Sequence, residues 1–234
     1  MTSRFIGVIA VATVLVCWAG TALAQPFAGG LPQCRRQLSA CQAAAQAFPA
    51  TRQTTCWNSA GQVISCAGTG QDGDIQAGAT LSYTDNGDGT ITDNNTKLVW
   101  EKKSADGTIH DVNTLYTWDN AFAVHIGGLN AANFAGHNDW RLPNVKELQS
   151  IVNYEVNANV TPAVSPTFNT GCTAGATVLT GSCTAASNHW SSTTLANSPS
   201  VAWIVDFTGD VGAANKFNPA RIRAVRSGSN LGSP

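Results

Sequence analysis

Hydrophobic and polar positions alternate between two periods along this chain, and the change of period marks its elements. In DWRLPNVKELQSIV (Asp139 to Val152), Trp140 to Leu142 should run extended, because Pro143 disfavours helical geometry at the residue before it. Val145, Leu148, Ile151 and Val152 then recur at helical spacing. Asn144 stands at the N-cap with Glu147 three residues on, which is a capping box. Asp139, Trp140, Arg141, Asn144 and Glu147 are therefore read as structural residues of one strand-to-helix joint, with His137, Asp139 and Arg141 as a possible hydrogen-bond and ion-pair cluster.

Period-2 segments surround the joint. Thr90 to Thr92 and Leu98 to Trp100 are short β-prone runs, each preceded by turn residues, and predict a meander. In AWIVDF, Trp203, Val205 and Phe207 should share one face, and Ile204 and Asp206 the other. Arg221 to Arg226 alternates strictly, which places Arg221 and Arg223 on one exposed side with Lys216 nearby. His189 to Ser192 is a further β signal. A second helix should start at the Thr117 cap, run through Trp118, Ala121, Phe122 and Ile126, and end at Gly127-Gly128. Short strands with two short helices, and no βαβ repetition, predict an α+β fold.

The flanks read differently. Residues 1–24 carry Arg4, an apolar core from Phe5 to Val16 and the small-x-small site Ala22-Leu23-Ala24, the pattern of a cleaved signal peptide. No later stretch is long enough to span a bilayer, so the expectation is an exported protein, periplasmic, cell-surface or extracellular. About 210 of the 234 residues remain, room for one core-bearing domain with decoration. Leu31, Cys34, Leu38, Cys41, Ala45 and Phe48 form a short heptad seam in segment 25–53, read as an N-terminal amphipathic helix that either lies on the domain or makes a short coiled-coil stalk, followed by a linker over Pro49 to Gln53. Residues seven apart on a helix lie roughly 10 Å apart along its axis, too far for a disulfide. Cys34 and Cys41 would then pair between chains and make a homo-oligomer, a dimer or trimer.

Of the seven cysteines, Cys17 falls in the leader, and the even number left points to disulfides in an oxidising compartment. Segment 54–80 holds Cys56 and Cys66 around turn residues Asn58 to Gly61, a clipped hairpin whose closure is worth on the order of 3 kcal/mol. Gly68 to Gly78 should be irregular. Cys172 and Cys183 lie in a polar stretch from Asn153 to Asn188, read as a long surface excursion held by a second staple. The formal charge of −1 and 12% charged residues give no case for nucleic acid.

Candidate chemistry is sparse. Asp85, Asp88 and Asp93 raise calcium, but an EF-hand register with Gly89 sixth puts Thr84 first and Asn95 last, so turn formation is the reading. His110, His125, His137 and His189 show no metal-ligand spacing. Ser191 or Ser192 with His189 and Asp206 can be drawn as a hydrolase, but no nucleophile-elbow pattern supports it.

The order TDNGDGTITD, LVW, DWRLPNVKEL, WSST, AWIVDF, IRAVRS resembles the Lcl C-terminal domain family over roughly residues 81–228, with 229–234 as a tail. The RLP-x-x-x-E helix start at Arg141 to Glu147 is similar to that of C-type-lectin-like and sulfatase-modifying-factor-like domains. The resemblance implies a mixed α+β domain for adhesion or ligand capture, with glycosaminoglycan binding and trimerisation described for the founding adhesin. Where the resembling oxidases carry a reactive cysteine, this chain has Ala224, and no Glu-Pro-Asn sugar motif is present. The leading expectation is a non-catalytic module with no cofactor that binds a glycan or protein through His189, Trp190, Trp203, Asp206, Lys216, Arg221 and Arg223. A structural subunit of a disulfide-linked surface oligomer comes second and a hydrolase third.

Overall fold

The computed structural model describes residues 48–157 and 159–228. The expected signal peptide, the expected heptad up to Ala45 with Cys34 and Cys41, and the tail beyond residue 228 lie outside the described residues. From Pro49 onward the chain belongs to one compact unit. Segment 49–53, expected as a linker, is bonded into it: the Ala50 amide donates to Ala79 O at 2.8 Å and the Tyr154 amide to Thr51 O at 3.0 Å.

Strands β1 (Cys56–Trp57) and β2 (Val63–Ile64) form the clipped hairpin, with Cys56 bonded to Cys66. The Gly-rich segment behind it contains a four-residue helix, α1 (Asp72–Ile75), where irregular chain was expected. Gly73 explains its place: a Cβ there would stand 2.8 Å from both Cys56 Sγ and Thr55 O, so only glycine lets this turn lie on the disulfide.

The meander is β3 (Tyr83–Asp85), β4 (Thr90–Asp93) and β5 (Leu98–Glu101), joined at its free edge by β9 (Val225–Ser227) in the order β3-β4-β5-β9. The other sheet is β6 (Asn188–Thr194), β7 (Val201–Asp206) and β8 (Asp210–Asn215), all antiparallel. The two sheets are stitched by one extended segment. Arg221 bridges His189 beside β6, and Val225 bridges Arg141 beside the joint while pairing with Trp100 of β5.

Two apolar clusters fill the interior. One gathers Ile91, Trp100, Leu148, Ile151, Phe168, Val205 and Phe207, the other Leu129, Trp140, Leu142, Trp190, Ile204 and Ile222. Strand β7 supplies both, with Ala202 and Ile204 on one face and Val205 and Phe207 towards the other cluster. The period of two was read correctly, but both faces are covered. The Asn153 to Asn188 excursion is likewise not a surface loop. Its Ala163, Val164 and Phe168 are core residues, and Phe168 packs edge-on to Tyr83 and Trp100. Its staple, Cys172 to Cys183, is formed.

The helix capped by Thr117 runs through α2 (Trp118–Asn120), a π-helical stretch (Ala121–Ile126) and α3 (Gly127–Ala131). Gly127-Gly128 does not end it. Asn130 anchors the far end by bonding both backbone groups of Trp140, at 2.9 and 2.8 Å, and Leu129 is buried. That tertiary support outweighs the glycine propensity cost. After Pro143 comes α4 (Val145–Gln149). Among the described residues no helix is long and apolar enough to cross a membrane.

Candidate functional site

A cluster of charged side chains lies in the interior of this domain. Glu101, at the end of β5, is fully buried and takes four donors: His110 Nδ1 and Lys103 Nζ on one oxygen, at 2.9 and 3.1 Å, and His125 Nε2 and the Ala224 amide on the other, at 2.9 and 3.0 Å. Burial alone would raise this carboxyl. The charges of His125 and Lys103 and the two histidine hydrogen bonds outweigh it and hold the group well below its usual range. An ionised carboxylate only accepts, so each histidine donates through the nitrogen facing it. Burial keeps His125 and Lys103 below their ordinary values against the pull of Glu101. Arg223 closes the cluster, donating to Glu101 O, Cys183 O and Thr184 Oγ1 at 2.7 to 2.8 Å.

The π-helical stretch is what brings His125 here. A π turn adds a residue to the helix and re-aims the side chains after it. The chain thereby satisfies Glu101 from inside while leaving Trp118 and Phe122, edge-on at 4.6 Å, on the other side of the same helix start.

The expected ligand-binding set separates into a buried half and an outer half. His189 is buried, bonded to Ser187 O at 2.7 Å and packed on Phe207; burial pushes it down to about 3. Trp190 is buried and donates to Tyr116 O at 2.9 Å. Arg223 is 0% exposed. These three cannot present a surface, because strict alternation in the last segment faces a second layer of protein instead of solvent. Half-buried Arg221 is committed to Val112 O and Ser187 Oγ at 2.9 and 3.0 Å. Trp203 and Asp206 are half-buried, and Asp206 accepts the Thr208 amide.

Lys216 is half-buried in the turn that follows β8. Its Nζ sits 3.8 Å above the Trp118 ring and donates to Thr194 Oγ1 at 2.9 Å. The same turn carries Phe217, 80% exposed. Trp118 is fixed beneath by its Nε1 bond to Ser191 O and its amide bond to Lys216 O, at 2.9 and 3.0 Å. Trp118 and Phe122, half-buried against the second apolar cluster, with Lys216 over the Trp118 ring and exposed Phe217 on the same turn as Lys216, make up an aromatic ridge with one cation. Apart from Lys216, none of these residues was singled out from the sequence; the available signal was WDNAF beside a helix cap, read there only as helix.

The other candidates resolve into structure. Asn144 accepts the Lys146 and Glu147 amides, Glu147 returns to the Asn144 amide, and Arg141 forks onto Glu147 at 2.8 and 2.6 Å. Asp139 pairs with Arg226 at 2.7 Å rather than with Arg141. Asp85 binds Lys102 at 2.7 Å, while Asp88 and Asp93 accept donors within their own turns. Ser191 Oγ donates to Trp203 O at 2.6 Å, so Ser191, His189 and Asp206 are held by separate partners and not by one another. No group of three metal-binding side chains occurs among the described residues.

A family model described as the Lcl C-terminal domain matches residues 89–226. No curated protein matches the chain.

Proposed function

The chain belongs to the Lcl C-terminal domain family, and from that premise we propose that it is an exported, non-catalytic, adhesion-type ligand-binding module that uses the Trp118, Phe122, Lys216 and Phe217 ridge. The observation that carries this reading is the ridge itself: an exposed aromatic beside a cation held over an indole, outside the buried Glu101 cluster. Aromatic faces stack on sugar rings or apolar side chains, and the ammonium adds attraction for acidic groups. The ligand is a glycan or a protein surface of that character. A binding role also agrees with the two disulfides, which suit an oxidising extracytoplasmic compartment. The lectin-like arrangement implied by the joint and the two sheets is part of the same proposal.

The test is a glycan array and a cell-surface binding assay with the mature protein, repeated with Lys216→Ala and Phe217→Ser. Phe217 is exposed and Lys216 makes only one side-chain hydrogen bond and one ring contact, so thermal stability should change by no more than about 1 kcal/mol while binding falls at least fivefold. Absence of any retained ligand, together with ester or peptide hydrolysis that Ser191→Ala abolishes, would reverse the reading.

A further inference from the structure

A solvent-open cleft of about 290 Å³ lies between segment Ala50 to Thr54, Gln76, Thr80 and the turn from Asn153 to Val156, and it shares no residue with the aromatic ridge. Two side chains in its wall carry nitrogen donors that have no partner among the described residues. Arg52 is exposed and forms no ion pair with any described residue. Its backbone is left-handed, φ 68°, a conformation a non-glycine residue rarely holds without being forced. The forcing is visible on both sides. Tyr154 donates to Thr51 O at 3.0 Å, and the Thr54 amide donates to Glu155 at 2.8 Å, so the residue between is clamped. Backbone strain of this kind collects where a side chain must be presented.

Asn153 is the second. It is only 7% exposed, and its Oδ1 accepts the Glu155 amide at 3.1 Å, which fixes the flip of its side-chain amide. Its Nδ2 then has no partner among the described residues, and the residue lines the cleft. The one carboxylate in the wall, Glu155, is already satisfied by the Thr54 and Thr55 amides and the Thr55 hydroxyl. A guanidinium and an amide N–H from residues that line one cleft, beside a carboxylate turned to its own donors, suit an anion.

We propose that this cleft binds a small polar carboxylate, held by its carboxylate on Arg52 and Asn153. The Gln53 and Gln76 side chains in the wall serve ligand hydroxyls or amines; Gln76 Nε2 is bonded to Gly73 O, which leaves its carbonyl oxygen to accept. The volume sits at the floor of the range of about 300–1,000 Å³ usual for ligand sites, so the occupant is an open-chain or single-ring molecule. This site stands independently of the ridge.

The experiment is isothermal titration of the mature full chain with gluconate, citrate and glutamate, with sorbitol as the neutral control. At least one carboxylate should bind while sorbitol does not. Arg52→Gly should lower that affinity tenfold or more while keeping or raising thermal stability, since glycine adopts the left-handed backbone without strain. Asn153→Asp keeps the acceptor for the Glu155 amide but opposes the anion, and should give a similar loss. Lys216→Ala should bind the carboxylate as wild type does, which separates this site from the ridge. No binding of any of the three carboxylates, equal binding of sorbitol, or unchanged affinity in a folded Arg52→Gly protein would each overturn the proposal.

Discussion

Arg141 with Glu147, and Glu101 with its ring of donors, are both acid–base groupings at the end of an extended segment, yet they do different work. The first is local and half-exposed: six residues apart, with the acid also returning to the Asn144 amide. The second is fully buried and joins residues 9, 24 and 123 positions apart in the chain. Water screens the first, so it sets geometry at little energetic consequence. For the second no water is available to replace a lost partner, so removing one member leaves an uncompensated charge.

That contrast can be broken or sharpened in order of size. Glu101→Gln replaces an acceptor oxygen with an N–H that faces existing donors, and should cost about 3–5 kcal/mol in urea melts. A loss below about 1 kcal/mol would mean the interior cluster is no more than a surface pair. The next effect is on pH dependence. His189 lies near 3 in the folded protein against an ordinary 6.5, so the folded state binds fewer protons between those values. Its contribution is complete above pH 6.5 and is lost as pH falls towards 3, about 2 kcal/mol of it between pH 7 and pH 5. His125 is shifted in the same direction by burial and adds to that slope. His189→Asn keeps a donor for Ser187 O and should flatten the slope even as it weakens packing on Phe207. Denaturant titrations at pH 5, 6 and 7 on both proteins would show it, and parallel slopes would refute it. Asn144→Ala should cost about 1 kcal/mol through the lost cap. Arg141→Ala comes last, at no more than about 1 kcal/mol. If Arg141→Ala proved worse than Glu101→Gln, the comparison would be inverted.

The same contrast explains what could be read in advance. The capping box, the meander and both disulfides are written within about a dozen residues each, and periodicity or spacing exposes them. The Glu101 cluster has no such signature: EKK, an isolated His110 and a His125 inside a helix mean nothing until the fold brings them together. Alternation in Arg221 to Arg226 gave the correct faces and the wrong surroundings, because period two does not say whether the second face meets solvent or another layer. Phe168 was hidden for a related reason, since a core residue at the end of a three-residue 3-10 helix has no period to show. Gly127-Gly128 misled because propensity was weighed without the Asn130 anchor.

The stitching segment from Arg221 to Ser227 sets the order of events at synthesis. As the chain emerges end first, its early hairpin can close its own disulfide, but neither sheet has its last neighbour and Glu101 lacks its backbone donor until residue 227 is out. A chain cut a dozen residues before Ser227 would therefore retain every cysteine of both clips but lack β9, the bridge to His189 and the backbone donor to Glu101.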